Sequence, residues 1–137
     1  MTKKICVVGG GYWGQNHINT LHQIGCLYGI VDVDKNQLLN YSNKFPNIKV
    51  FDNIDNSLDI GFDGYVIATP AKTHYEIGKK IINAGFDLLI EKPFCLNLDN
   101  ANELTGLAKE KSVKIMVGHL LLFHPAIIKI KEIILRS

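Results

Sequence analysis

Residues 3–14 read KKICVVGGGYWG: a β-branched run of strand length meets three glycines and continues into residues of helical character. Strand, tight turn and helix in immediate succession open a βαβ unit. Only one register of the glycines satisfies G-x-G-x-x-G. It assigns Gly9 to the turn, Gly11 to a point where backbone can approach a pyrophosphate, and Gly14 to close packing of helix on strand. The amides of Gly11, Tyr12 and Trp13 then stand at a helix N-terminus, where the helix dipole favours a phosphate. The stretch therefore reads as a dinucleotide cradle.

Outward from this turn, residues 26–31 form a second strand-like run ending at Asp32. That is roughly twenty residues past the fingerprint, the spacing of an acid that hydrogen-bonds the adenosine ribose. Asp34 lies beside it, and a 2′-phosphate there would meet like charge with no arginine nearby. NAD(H) is expected in preference to NADP(H).

The rest of the chain keeps alternating. A helix is expected over 35–44, a short strand over 48–51 after Pro46, and at most a short helix in the Asp- and Asn-rich stretch 52–59. A fourth strand over 64–68 ends at Thr69-Pro70. Residues 73–84 read as a helix with Ile77, Ile81 and Ile82 on one side, and 86–90 as a strand ending at Glu91-Lys92-Pro93. A helix over 98–111, capped by Asn97 or Asp99, precedes a sixth strand over 113–117. Such alternation predicts an α/β, doubly wound Rossmann fold, with about six parallel strands in the order 3-2-1-4-5-6 and helices on both faces. Its topology would gather the glycine turn, Asp32, Ala68-Thr69-Pro70, Glu91-Lys92-Pro93 and Gly118-His119 along one edge of the sheet, where ligands bind in such folds.

Composition narrows the function classes. The chain has 137 residues, 47% hydrophobic and 20% charged, with a formal net charge of +2. This length suits one domain with a proper core. The small charge excess and the lack of a Lys/Arg stripe argue against nucleic acid as a partner. Residues 120–135 are the longest apolar stretch, broken by His124, Pro125, Lys129, Lys131 and Glu132, so no membrane span is expected. Met1-Thr2-Lys3-Lys4 runs straight into the first strand without the pattern of a signal peptide, and a cytoplasmic location is expected. Cys6, Cys26 and Cys95 show no C-x-x-C spacing and the five histidines no close ligand pair, so neither a disulfide framework nor a metal is expected. Cys6 and Cys26 read as small buried hydrophobes.

Taken together, GGGYWG, VIATPAKTH, LIEKPF and MVGHLLLFHPA resemble the glucose-fructose oxidoreductase, inositol dehydrogenase and rhizopine catabolism (Gfo/Idh/MocA) family over essentially the whole chain. Within it, the G-Y-W-G turn, A-T-P-A-x-T-H-Y and G-H-L-L-x-x-H-P look most like enzymes that oxidise the 3-position of UDP-linked N-acetylglucosamine sugars, particularly the uronic acid. The resemblance implies that Gly9, Gly11, Tyr12, Trp13 and Gly14 bind the NAD pyrophosphate and Asp32 the ribose. It places Thr69, Pro70 and His74 along the cofactor, with Pro93 and His119 as further contacts. Glu91 would touch the nicotinamide ribose, and Lys92 would be catalytic, hydrogen-bonding the hydroxyl of a sugar or nucleotide-sugar substrate. It also implies a second, C-terminal domain for substrate and oligomer contacts, absent from these 137 residues. Leu121 and Leu122 stand where many relatives carry arginine. The chain is thus expected to be the NAD-binding domain of such an enzyme, to bind NAD(H), and to have little activity alone. The apolar stripe Ile127, Ile130 and Ile134 would be partly exposed and could promote a homo-oligomer.

Simpler readings stand beside these. Glu91 and Lys92 also fit an exposed charged pair at a strand end, His74 a surface helix residue, and Trp13 a packing residue. Pro93 fits a strand terminator or a cis bond that aims Lys92, and His124 the start of the last helix. Two rival functions share the glycine turn and Asp32. One is a non-catalytic NADH-sensing module, and the other an S-adenosylmethionine-dependent methyltransferase. Neither gives Glu91-Lys92-Pro93 a task.

Overall fold

The structure, a computed structural model, describes residues 2–136. Strand β1 (Ile5–Val8) leads into α1 (Tyr12–Gln23), followed by β2 (Leu27–Val31), α2 (Lys35–Lys44), β3 (Lys49–Phe51) and the one-turn α3 (Asp55–Leu58). Then come β4 (Gly64–Ile67), a 3-10 turn (Ala71–Thr73), α4 (His74–Asn83), β5 (Asp87–Ile90), α5 (Leu98–Lys111), β6 (Ile115–Val117), a second 3-10 turn (Leu120–Phe123) and α6 (Pro125–Leu135). The six strands form one sheet in the order β3-β2-β1-β4-β5-β6, every pairing parallel. The expected Rossmann topology is the one observed.

Side chains alternate across the pleat, and both faces are covered. Cys6, Val8, Tyr65, Ile67, Leu88 and Ile90 pack with Ile81 and Ile82 of α4 and Leu104 of α5. Val7, Ile30 and Val66 point the other way, onto Ile18 of α1 and Leu38 and Tyr41 of α2. Strands buried on two faces read as continuous apolar runs, which explains why VV, GIV and YVI carry no polar alternation. Burial raises the Cys6 thiol well above its usual value, consistent with a packing role, while Cys26 and Cys95 are only half-buried.

Several boundaries differ from expectation for local reasons. β1 starts at Ile5 because Lys3 and Lys4 leave the ladder to meet the Asp63 carboxylate, at 3.0 Å from Lys3 Nζ and 2.8 Å from Lys4 N. Residues 71–73 are a 3-10 turn rather than the first turn of α4, closed by Thr73 Oγ1 donating to the Pro70 carbonyl at 2.8 Å. Asn97 caps α5 by accepting from Asn100 N at 2.8 Å, and Asp99 sits inside the first turn. His124 caps α6, its ring accepting from Ala126 N at 3.2 Å. The last helix buries no residue: Ile127 is 39%, Ile130 51% and Ile134 67% exposed. On the face of the sheet that α1 shares, Met116 at the β6 edge is also uncovered, at 49%.

Two predictions test this packing. Gly9 sits at φ 94°, and a Cβ on Gly14 would run into its carbonyl group, which is backbone and cannot move aside. Gly14→Ala should therefore cost at least about 3 kcal/mol in urea unfolding, the upper end for overpacking. Under β4, the Tyr65 hydroxyl donates to the Ser57 carbonyl at 2.9 Å, and burial pushes its phenol up from 10.0 to about 12. The folded state thus keeps this proton where the unfolded chain has lost it. The stability involved is fully present below pH 10 and disappears as pH rises towards about 12. Tyr65→Phe should be less stable at neutral pH by about 1–3 kcal/mol and should lack that alkaline decline, as measured by denaturant melts across the window.

Candidate functional site

The glycine turn is built by contacts that reach across the sheet. Gly9 N donates to the Val31 carbonyl at 2.8 Å, and Gly10 N donates to Asp32 Oδ2 at 2.5 Å. The other Asp32 oxygen accepts from Asp34 N at 2.8 Å, and Asp34 in turn caps α2 by accepting from Asn36 N and Gln37 N. The Tyr41 hydroxyl donates to the Gly10 carbonyl at 2.6 Å, while burial, and secondarily the nearby Asp32 charge, push its phenol up. Each Asp32 oxygen spends one acceptor site on backbone and keeps another for a ribose hydroxyl.

Helix α1 begins at this turn with no acid in its first turn and no side-chain cap. Its first internal bond runs from Gln15 N to the Gly11 carbonyl at 2.8 Å, so the amides of Gly11, Tyr12 and Trp13 precede the ladder. A Cβ at Gly11 would meet nothing within 4 Å, whereas one at Gly9, Gly10 or Gly14 would collide with protein atoms. The open space lies where a pyrophosphate approaches the fingerprint. The residues present fit the cofactor.

Two clefts flank this first turn. One, of about 460 Å³, is lined by Gly9, Gly11, Asp32, Thr69 and Pro70 together with Lys80 of α4. The other, of about 530 Å³, is lined by Trp13, Glu91, Lys92, Gly118, His119 and Leu120 through Leu122. Nine of the expected site residues therefore share two neighbouring clefts on one rim. Tyr12, 84% exposed, lines a separate groove with Gln37 and Lys44, while Gly14 lies beneath the turn and Pro93, exposed, lines neither cleft.

The lysine turn departs from the simpler expectations. Glu91 and Lys92 are no exposed pair: Lys92 is exposed, but Glu91 is only 6% exposed. The Glu91 carboxylate accepts from His17 Nε2 of α1 at 2.8 Å and from Lys92 N at 3.3 Å, and lies against Gly118, where a Cβ would stand 2.9 Å from it. The Lys92–Pro93 peptide bond is cis. His74 is not a surface residue: it is 1% exposed, with Nδ1 2.8 Å from the Pro93 carbonyl and Nε2 2.9 Å from the Thr69 carbonyl. Trp13, 44% exposed, forms a wall of the lysine cleft.

Two residues of this arrangement were not anticipated: His17 and Tyr41. His17 follows Trp13 by four positions and so shares its helix face, a signal present in the sequence. Tyr41 gives no local signal at all. Among the described residues, no group of three or more metal-ligating side chains comes together, and no helix is long and apolar enough to cross a membrane.

Comparison with known proteins agrees with this geometry. The sequence profile of the Gfo/Idh/MocA oxidoreductase family, NAD-binding Rossmann fold, matches residues 3–119. The chain is 31% identical over 121 residues to UDP-N-acetylglucosamine 3-dehydrogenase of Acidithiobacillus ferrooxidans, covering 88% of this chain and 38% of that protein. A crystal structure of the A. ferrooxidans UDP-N-acetylglucosamine 3-dehydrogenase GnnA superposes with a TM-score of 0.88 at 29% identity, over 96% of this chain and 42% of the other. GenD2 from gentamicin A biosynthesis, solved in complex with NAD, superposes with a TM-score of 0.79 at 32% identity, over 85% of this chain and 34% of the other. The chain thus spans about two fifths or less of the length of these relatives. With the fingerprint turn, the strand-end acid and the lysine turn all in place along a 3-2-1-4-5-6 sheet, the chain belongs to the Gfo/Idh/MocA family of oxidoreductases and corresponds to its NAD-binding Rossmann domain.

Proposed function

We propose that these residues are the cofactor-binding part of an enzyme that oxidises a ring C–OH of a sugar or nucleotide sugar, at the 3-position of a UDP-linked amino sugar. The observation that carries the reading is Lys92. This exposed residue lines a cleft walled by Trp13 and His119, on the same sheet edge as the glycine turn. The similarity to UDP-N-acetylglucosamine 3-dehydrogenase supports the choice of sugar. Contacts from a second domain would complete the substrate site. The uncovered stripe of α6, together with Leu120 through Leu122, is the surface such a domain would cover.

In this reading the α1 amides hold the pyrophosphate and Asp32 accepts from the adenosine ribose hydroxyls. Bound NAD supplies the acceptor for the hydride that leaves the sugar carbon. Lys92 hydrogen-bonds the substrate hydroxyl and takes up its proton as that carbon is oxidised. Glu91, engaged with His17 and its own neighbour's amide, holds the lysine turn and keeps a free acceptor site on each oxygen for the nicotinamide ribose. His74, with both ring nitrogens facing backbone carbonyls, supports the rim from beneath.

Trp13 is the sole tryptophan, so its fluorescence reports on the rim. NADH should change it saturably and S-adenosylmethionine should not; saturation by S-adenosylmethionine alone would replace the oxidoreductase reading with a methyltransferase one. Asp32→Ala should weaken NADH binding by about 10- to 150-fold, the equivalent of roughly 1.5–3 kcal/mol for a hydrogen bond to a charged group. Gly11→Ala should block the cofactor while leaving stability within about 1 kcal/mol, because that glycine is a helix N-cap facing open space. Lys92→Met should leave NADH affinity within about twofold yet lower turnover of UDP-N-acetylglucosamine by the full-length enzyme by about 10²–10⁴-fold. Unchanged turnover would remove Lys92 from the reaction, and NADH binding with no turnover by the wild-type enzyme would favour an NADH-sensing module.

A further inference from the structure

Lys92 is flanked on both sides by residues that a histidine holds, and the two histidines come from opposite faces of the sheet. Before it, Glu91 directly follows β5, and its carboxylate accepts from His17 Nε2 of α1 at 2.8 Å. After it, the Pro93 carbonyl is 2.8 Å from His74 Nδ1 of α4. The same His74 ring reaches the Thr69 carbonyl, beyond the end of β4, through Nε2 at 2.9 Å. Helix α1 packs with the cluster around Val7 and Ile30, and α4 with the cluster around Val8 and Ile67. His74 is 1% exposed and the His17 side chain 20%, so water competes little for either bond.

We propose that His17 and His74 are positioning residues forming a two-sided clamp, which fixes the turn through Lys92 and so aims its amine along the rim. The aim has a chemical purpose only if Lys92 handles the substrate proton, so the inference rests on the function proposed above. Carboxylate and carbonyl oxygens only accept, so each link needs a ring N–H: His17 gives one to Glu91, while a neutral His74 ring gives its single N–H to either the Pro93 or the Thr69 carbonyl and only the imidazolium gives one to both. A turn tied to strand ends and helices on both faces gives its lysine a single direction, which is what an amine that exchanges a proton with one hydroxyl requires. Thr69 lines the cofactor cleft, so the His74 link also sets the lysine turn at a constant distance from one wall of that cleft.

Backbone 15N relaxation of the cofactor-free chain tests the clamp without invoking catalysis. In the wild type, the amides of Lys92 and Phe94 should be as ordered as those of β5, with order parameters of about 0.85. In His17→Leu and in His74→Leu, they should fall below about 0.6 while β5 and α4 stay rigid. A merely structural role would lower the melting temperature without this local loosening. His17→Gln should restore order, because its carboxamide N–H can reach the Glu91 oxygen. His74→Gln should not, because one carboxamide cannot span two carbonyls on opposite sides of a ring. Leucine variants as rigid at Lys92 as the wild type would overturn the clamp. Independently of any variant's folding, the wild type should show solvent-protected ring N–H protons on His17 and His74, and rapid exchange of all of them would also overturn it. Adding NADH then separates the two ideas. A rigid Lys92 whose resonances ignore NADH refutes the proposed function and leaves the clamp standing.

Discussion

Everything at the rim depends on how closely the backbone of α1 approaches the backbone of the turn that precedes it. Gly14 lies against the Gly9 carbonyl, and Gly9 is at φ 94°, a conformation that L side chains rarely adopt. Any Cβ at Gly14 would push α1 off the end of β1. That shift would separate the α1 amides from Asp32, which holds Gly10 from the neighbouring strand end. It would also carry His17 away from Glu91 two strands over. One backbone contact thus sets both the free amides at the start of α1 and one support of the lysine turn. The link runs from glycine content, through packing, to the placement of chemistry.

The order of strands and most of the rim were legible in the sequence because they follow from short-range rules. Strand-length apolar runs, helices between them and the handedness of the crossovers leave one arrangement, and that arrangement brings Asp32, Thr69 and Lys92 to one edge whatever their side chains do. The cap at Asn97 and the start of α6 at His124 are equally local, each set by a side chain bonding an amide two or three residues on. What was not legible is the set of contacts between elements. Tyr41 reaches the Gly10 carbonyl across 31 residues and His17 reaches Glu91 across 74, and no periodicity encodes either pairing.

His74 shows why residue type alone misleads. A histidine opening an amphipathic helix fits a surface residue, and a histidine in A-T-P-A-x-T-H fits a cofactor contact. Burial decides against the first: a group that is 1% exposed must find its polar partners internally, and both ring nitrogens of this one lie close to backbone carbonyl oxygens, at 2.8 and 2.9 Å. The same burial leaves it few ways to reach a ligand without giving up a bond it already makes. Glu91 follows the same logic. Its carboxylate is acceptor-only and only 6% exposed, and it accepts from His17 and an amide, so it holds its own loop in place whatever else its remaining lone pairs meet.

The last helix presents a different balance. α6 has 11 residues and buries none of them, while isolated helices shorter than about 12–15 residues are marginal in water. A fully buried isoleucine contributes roughly 1.5–3 kcal/mol relative to an exposed one. Covering Ile127, Ile130 and Ile134 would therefore contribute several kcal/mol that α6 does not obtain from the sheet. Leu120 through Leu122, each more than half exposed, continue the same surface up to the Lys92 cleft. An apolar surface that is contiguous with the reactive rim serves two ends when it is covered: it supplies the helix with the packing it lacks, and it removes water from one wall of the cleft, where exclusion of water strengthens every polar contact to a substrate. This coupling supports the reading that substrate contacts and the covering of α6 come from one and the same body of protein.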